Sequence, residues 1–189
     1  NVDCPPLSAG RSGMDPVEGA ACVILESEAH ARRRGASPLA EWIGGELANE
    51  ACHLMAPAPD ARVLEELLHR VRVCAVERRG EGSEVDWISL HATGTPRFDA
   101  AEVGCLHRVF GKSLPWISAL KRTTGHALAA SGLLEASLVA EGLRACAVPS
   151  WPSDIDPALR LPDLPFHSAA VEPKLAVQIG QGMGGTVVV

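Results

Sequence analysis

Apolar runs alternate with stretches of helical period along the chain, and the alternation predicts its elements. AACVILES, from Ala20 to Ser27, is continuously apolar with β-branched residues, the pattern of a strand covered on both faces. EAHARRRG (28–35) reads as a short helix ended by Gly35. LAEWIGGELAN (39–49) reads as a second strand, with Gly44 and Gly45 at a bulge or a close backbone approach. After the loop APAPD, Asp60 is placed to cap a helix in which Val63, Leu64, Leu67, Leu68, Val71 and Ala75 recur at helical spacing. Arg62, Glu65, Glu66 and Arg72 fall outside that stripe. VDWISL (85–90) is a short strand feeding a loop that Gly94 and Pro96 demand, with a helix expected from about Asp99. LPWISAL (114–120) is another strand, feeding KRTTGH and then a long helix over ALAASGLLEASLVAEGLR (127–144), whose small side chains permit close packing. Pro149, Pro152, Pro157, Pro162 and Pro165 make an irregular connection of 149–165, after which KLAVQIG (174–180) and GTVVV (185–189) read as closing strands around a glycine-rich turn. Strands that alternate with helices in this way predict an α/β sheet with helices packed on it.

Composition narrows the partners. At 189 residues the chain is long enough for one domain with a real core. A formal charge of -6 and a pI near 5.6 leave no basic footprint for nucleic acid or an anionic membrane. No apolar stretch approaches the roughly 20 residues that span a bilayer, and the start of the chain has no signal-like pattern, so a soluble, cytoplasmic protein is expected. The first residue is Asn1 and NVDCPPLSAG has no strand or helix period, as if the segment were part of something longer. Six cysteines (Cys4, Cys22, Cys52, Cys74, Cys105, Cys146) form no C-x-x-C pair and are expected to be free, buried thiols rather than disulfides.

Two histidines stand where chemistry is expected in an α/β sheet, at a strand end or a helix start. His91 directly follows VDWISL, and His126 is expected to open the long helix. Both are flanked by glycine and threonine: His91-Ala92-Thr93-Gly94-Thr95 and Thr123-Thr124-Gly125-His126. One such histidine alone reads more readily as a hydrogen-bonded core residue; two in matching contexts make a site as good a reading. At a helix N-terminus the macrodipole would keep the His126 imidazole neutral, and a neutral donor suits a developing oxyanion. Lys121, five residues earlier, is either a surface lysine or the ammonium that orders such a site. Asp99, Glu102 and Glu135 are candidates to pair with Lys121 or a histidine, although acids in a helix's first turn also simply satisfy its dipole. His30, His53, His69, His107 and His167 offer no ligand spacing, so no metal site is expected. GQGMGG precedes a strand rather than a helix, which sets it apart from phosphate-binding loops.

Taken together, four segments resemble the C-terminal half of the β-ketoacyl-acyl-carrier-protein synthases. They are RSGMDPVEGAACVILE, HATGTPRFDAAE, SALKRTTGHALAASGLLE and GMGGT, in the family's order, and they cover the chain from about Arg11 to its end. The resemblance implies a thiolase-like half-fold spanning residues 1–189, with a mixed five-stranded sheet and helices packed on it. It implies decarboxylative Claisen condensation of an acyl thioester with malonyl carrier protein in fatty-acid or polyketide biosynthesis. It assigns His91 and His126 to the malonyl carbonyl and its enolate, Lys121 to their support, and Asp99, Glu102 and Glu135 to the surrounding acid network. Thr93, Thr95, Gln181, Gly182 and Met183 would line the substrate pocket. No cofactor is implied, the substrates riding on the phosphopantetheine of acyl carrier protein; the other expected partners are an N-terminal half or partner subunit, in a homo- or heterodimer.

In that family the nucleophile is a cysteine at a strand-to-helix elbow of the N-terminal half, and no cysteine here has that context; Cys105, nearest the motifs, falls in a predicted helix. The isolated chain is therefore expected to be inactive. Ala92, Phe98, Gln181 and Met183 depart from the family's glycines and phenylalanines. The rival reading is a non-catalytic partner, similar to a chain-length factor, that binds a synthase and shapes its pocket. Both readings predict an exposed apolar face.

Overall fold

The computed structural model describes residues 5–149, 154–161 and 171–189. Its centre is a parallel sheet of three short strands in the order β3-β2-β4, where β2 is Trp87–Ser89, β3 Trp116–Ser118 and β4 Ala176–Gln178. The register places Trp87 beside Trp116 and Ala176. All of β2 is buried, as the continuous apolar run predicts for a strand covered on both faces.

Alternation along β2 assigns its residues to the two faces. Ile88 and Leu90 join the main core beneath α2 (Arg62–Arg79) and α3 (Pro96–Phe110), where Leu64, Leu67, Leu68, Val103 and Leu106 are all buried. Trp87 points the other way into a smaller cluster with Leu120, Val139 and Val148, beneath α5 (Ser131–Ala145). Gly142 of α5 lies so close to the Trp87 ring that a Cβ there would come within 2.7 Å of it, the close approach that the small residues of this helix permit. The Trp87 indole N–H is satisfied inside the core by Ser118 Oγ at 2.8 Å.

A second, antiparallel sheet runs β1-β6-β5, from Leu47–Asn49, Thr186–Val188 and Gly180–Gly182. The described residues thus form two three-stranded sheets in place of one mixed five-stranded sheet. The strand spans read from sequence were longer than the pairing; of 39–49 the strand is 47–49, paired with β6, and Glu46 extends it by exchanging backbone hydrogen bonds with Val189. The glycine-rich GQG forms β5, so the chain's end is a hairpin rather than a turn and a strand.

Three further expectations give way. Residues 20–27 form no strand: Ile24 is 81% exposed, Leu25 67%, and no strand edge among the described residues supplies them with hydrogen bonds. Asp60 does not cap α2, because Ala61 occupies the cap in a left-handed conformation and the Asp60 carboxylate turns to Arg62 at 2.9 Å. Cys22, Cys52 and Cys146 are exposed and Cys74 half-buried; only Cys105 keeps the expected burial, and all five are free. Cys4 lies outside the described residues, as do Pro152, Pro162 and Pro165 of the irregular connection. The helix of EAHARRRG is present as α1 (Glu28–Arg33), capped by Ser27.

Candidate active site

Parallel neighbours deliver their following residues to the same edge of the sheet, and here that edge carries the site. His91 emerges just past β2; Lys121 emerges just past β3, at the start of a one-turn helix α4 (Lys121–Thr124). The two are joined directly, the Lys121 ammonium donating to the His91 carbonyl at 2.7 Å. The Lys121 side chain is 2% exposed, so the alternative of a surface lysine is ruled out. Its charge is met by Glu135 of α5, itself 2% exposed, at 2.5 Å.

The acids of α3 hold the backbone of the His91 loop. Glu102 receives the N–H of His91 on one oxygen at 2.7 Å and the N–H of Ala92 on the other at 2.9 Å. Asp99 receives the N–H of Gly94 at 3.2 Å and, across 92 residues, the N–H of Leu7 at 2.7 Å, with Arg11 Nε 3.5 Å away. Both carboxyls are fully buried. They are therefore more than first-turn complements to the helix dipole: His91 has its N–H and its C=O each bound by a buried ionisable side chain. The loop's backbone is strained, since Ala92 sits at φ +24° with no exposure.

His126 is positioned differently from the sequence expectation. It does not open the long helix; α4 ends at Thr124, a 3-10 turn occupies Leu128–Ala130, and α5 begins only at Ser131. The His126 backbone instead lies in a parallel bridge with Pro16, donating to Asp15 O at 2.8 Å and accepting from Val17 N at 3.1 Å. Gly125 makes this possible: its φ is +69°, and a Cβ there would collide with Val17 Cγ1. The imidazoles of His91 and His126 meet edge-on, centroids 5.6 Å apart and planes at 86°, and the Phe98 ring lies 6.1 Å from that of His91.

Both rings are neutral near pH 7. Burial drives the His91 pKa well below its ordinary value, aided by the Lys121 charge and by His126; burial and then Lys121 lower His126 to about 4. Neutrality was expected of His126 from a helix dipole, but burial and a neighbouring ammonium produce it. Burial likewise pushes Glu102 up to about 8, against the two N–H groups it accepts, and raises Asp99 and Glu135. The result is a pair of neutral imidazoles, each with one N–H to give, in a pocket that resists charging either ring. Such donors stabilise negative charge that appears during a reaction.

The family model for the β-ketoacyl synthase C-terminal domain matches residues 39–152, well over half the chain. The chain belongs to the β-ketoacyl synthase family. Its similarity to the nodulation protein E of Rhizobium meliloti is 33% identity across 97% of this chain and 45% of that protein. To a 3-oxoacyl-[acyl-carrier-protein] synthase 2 of Rhizobium meliloti (strain 1021) it is 34% identical over 96% of this chain and 43% of that protein. Among solved structures it superposes on the ishigamide ketosynthase/chain length factor with a TM-score of 0.86 and 27% identity, covering 100% of this chain and 46% of the other. A ketosynthase in complex with its type II polyketide acyl-carrier protein and bound to a hexaketide gives a TM-score of 0.85 at 28% identity, over 98% of this chain and 46% of the other. The ketosynthase-like α/β fold is thus established, and the chain spans less than half the length of the curated relatives it matches.

Within this ketosynthase domain the six residues His91, His126, Lys121, Asp99, Glu102 and Glu135 come together as one network. Of the pocket candidates, Thr93 is buried and donates its hydroxyl to Thr95 Oγ1 at 3.1 Å, just ahead of α3. Gln181 and Gly182 lie in β5 and Met183 in the exposed turn after it; no hydrogen bond or ring contact among the described residues ties them to the histidines. Two participants were missed: Arg11, which faces Asp99, and Ser131, whose Oγ lies 2.9 Å from His126 Nδ1. Arg11 stood inside a quoted motif but 88 positions from its partner, and Ser131 inside a run of small residues that reads as helix packing. A broad surface groove along α2, lined by Glu65, His69, Arg70, Cys74 and Arg108, contains none of the site residues. Among the described residues no cluster of three or more His, Cys, Asp or Glu side chains is disposed to hold a metal ion. No helix among them is long and apolar enough to cross a membrane.

Proposed function

We propose that this chain supplies the decarboxylation site of a condensing enzyme that joins an acyl thioester to malonyl carrier protein. The observation that carries the reading is the pair of buried, neutral imidazoles 5.6 Å apart, with the His91 loop locked by Glu102 and Lys121. Loss of CO2 from a malonyl thioester leaves its electron pair on the α-carbon, delocalised onto the thioester oxygen as an enolate. N–H donors of His91 and His126 aimed at that oxygen bind the enolate more tightly than the ground-state carbonyl, which is the condition for catalysis. The α-carbon then attacks the acyl thioester carbonyl, the new carbon–carbon bond forms and the acyl group's thiolate leaves. Lys121, Asp99, Glu102 and Glu135 hold these donors in place, and Thr93, Thr95, Gln181, Gly182 and Met183 contribute to the substrate pocket.

The acyl-bearing nucleophile belongs, on this reading, to an N-terminal half of the kind the longer relatives contain. Cys105 is unsuited, because burial within α3 raises its pKa to about 12 and keeps it a thiol. The domain assignment, the dimer, a cytoplasmic setting, dispensability of any cofactor and phosphopantetheine-borne substrates come with this reading. The second reading, a chain-length-factor-like partner, is favoured by the superposition on a ketosynthase/chain length factor and by Gln181 and Met183 in place of the family's phenylalanines. The intact network around His91 and His126 favours the enzyme.

Release of labelled CO2 from malonyl carrier protein, by the protein together with its cysteine-bearing half, tests the proposal. His91→Ala and His126→Ala should each lower that release by about 10²-fold or more, the scale of losing one oxyanion donor. Wild-type rates that these substitutions leave unchanged would give the partner reading precedence.

A further inference from the structure

His126 is held on three sides, and the third contact is one the family resemblance does not explain. Its backbone is clamped by residues 15–17, and its Nδ1 faces the hydroxyl of Ser131 at 2.9 Å. Ser131 is 5% exposed and is the first residue of α5. A serine so placed could give its proton to a carbonyl of the preceding turn, yet no described hydrogen bond takes the Oγ proton to any backbone oxygen. The ring nitrogen is its partner. A protonated Nδ1 would also direct its positive edge at the start of a 15-residue helix, where the peptide dipoles already place positive charge.

We propose that Ser131 is a positioning residue: its hydroxyl donates to Nδ1 of His126 and so keeps the ring's single proton on Nε2, the nitrogen on the side away from α5. The imidazole can donate from only one nitrogen while neutral, so a ring protonated at Nδ1 would spend its N–H on Ser131 and present a lone pair, not a donor, to an oxyanion. Ser131 thereby decides whether His126 acts as donor or acceptor. The kinetic consequence rests on the condensing-enzyme reading; the tautomer does not.

Long-range proton–nitrogen NMR correlations from the ring protons of 15N-histidine-labelled protein distinguish the two tautomers. The wild type should show His126 as the Nε2–H form alone. Ser131→Ala should admit the Nδ1–H form, and Ser131→Thr, which keeps the hydroxyl, should restore the wild-type pattern. An Nδ1–H wild-type ring, or a tautomer that Ser131→Ala leaves untouched, would overturn the assignment. If the alanine variant fails to fold, Ser131→Cys, a weaker donor of similar shape, takes its place and should likewise admit the Nδ1–H form. In the assembled condensing enzyme, Ser131→Ala should lower kcat by about two- to tenfold with KM unchanged, the scale of one hydrogen bond. An enzyme without decarboxylase activity whose His126 still follows Ser131 would refute the proposed function and leave this inference standing.

Discussion

The edge of the parallel sheet and the flank formed by residues 17–55 are built from similarly apolar stretches but end in opposite environments. At the sheet edge, Trp87, Ile88, Leu90 and Ile117 are wholly buried, and even Asp99, Glu102 and Lys121 are enclosed and paired. On the flank, Ile24, Leu25, Leu39, Trp42, Leu47, Leu54 and Met55 are exposed, Trp42 by 72%. The first region finds all its cover within the described residues, from α2, α3 and α5. The second is covered there only in part, through Ile43 and Ala48 on the main core and the pairing of β1 with β6, and exposed apolar side chains in such number suit a surface that another body covers. On the proposed reading that body is the companion half.

The largest test of this contrast is inside the site. Lys121→Ala should destabilise the protein by about 3–5 kcal/mol in urea unfolding, because Glu135 is left buried without its counter-charge. Restoring near-normal stability by pairing Lys121→Met with Glu135→Leu would show that the penalty came from the orphaned charge.

A smaller effect follows from Glu102. Its folded pKa is raised to about 8, so its contribution to stability is fully present below its ordinary value of 4.5 and is lost as pH rises toward 8. Above pH 7 the histidines, whose folded pKa values are depressed, are neutral in the fold and mostly neutral in the unfolded chain, so they add only a small slope of the opposite sign. Unfolding free energy should therefore drop by about 1 kcal/mol between pH 7 and 8, and Glu102→Gln should flatten that fall.

Ala92→Gly should stabilise by about 0.5–1 kcal/mol, since glycine accepts the positive φ that alanine resists; thermal unfolding measures it. Smallest of all, Ile24→Asn with Leu25→Ser should change stability by no more than about 0.5 kcal/mol, while lowering self-association in sedimentation. A large loss of stability there would mean that the flank is integral to this fold and would dissolve the contrast.

How legible each region was follows from the same difference. The strand β2 and the helix α2 were readable because periodicity reports burial, and the cover for β2 and for Leu64, Leu67, Leu68 and Ala75 lies within the described residues. AACVILES gave an equally strong strand signal, but a run of apolar side chains records what a segment tends to bury against, not whether a neighbouring edge is present. His91, Lys121 and the three acids were readable as candidates from motif context. Their connections were not, because Glu102 reaches backbone N–H groups and Lys121 reaches a carbonyl, neither of which carries a side-chain signature. His126 was placed on the wrong element because Gly125 and a 3-10 turn interrupt what looks like one helix. Ser131 was hidden for the same reason: only after the interruption does a residue five positions on come level with the ring.

The strap of residues 7–17 reaches both histidine loops, through Leu7 and Arg11 to Asp99 and through Asp15 and Val17 to His126. Contacts that join such distant positions close only after the intervening chain has been ordered, and loop closure of that kind slows folding. The pairing of β2 with β3, its neighbour in sequence, closes a far shorter loop and can therefore form early, while the strap settles on the two imidazoles later. Stopped-flow refolding would separate these events as a fast rise in Trp87 burial and a slower return of the His91–His126 geometry.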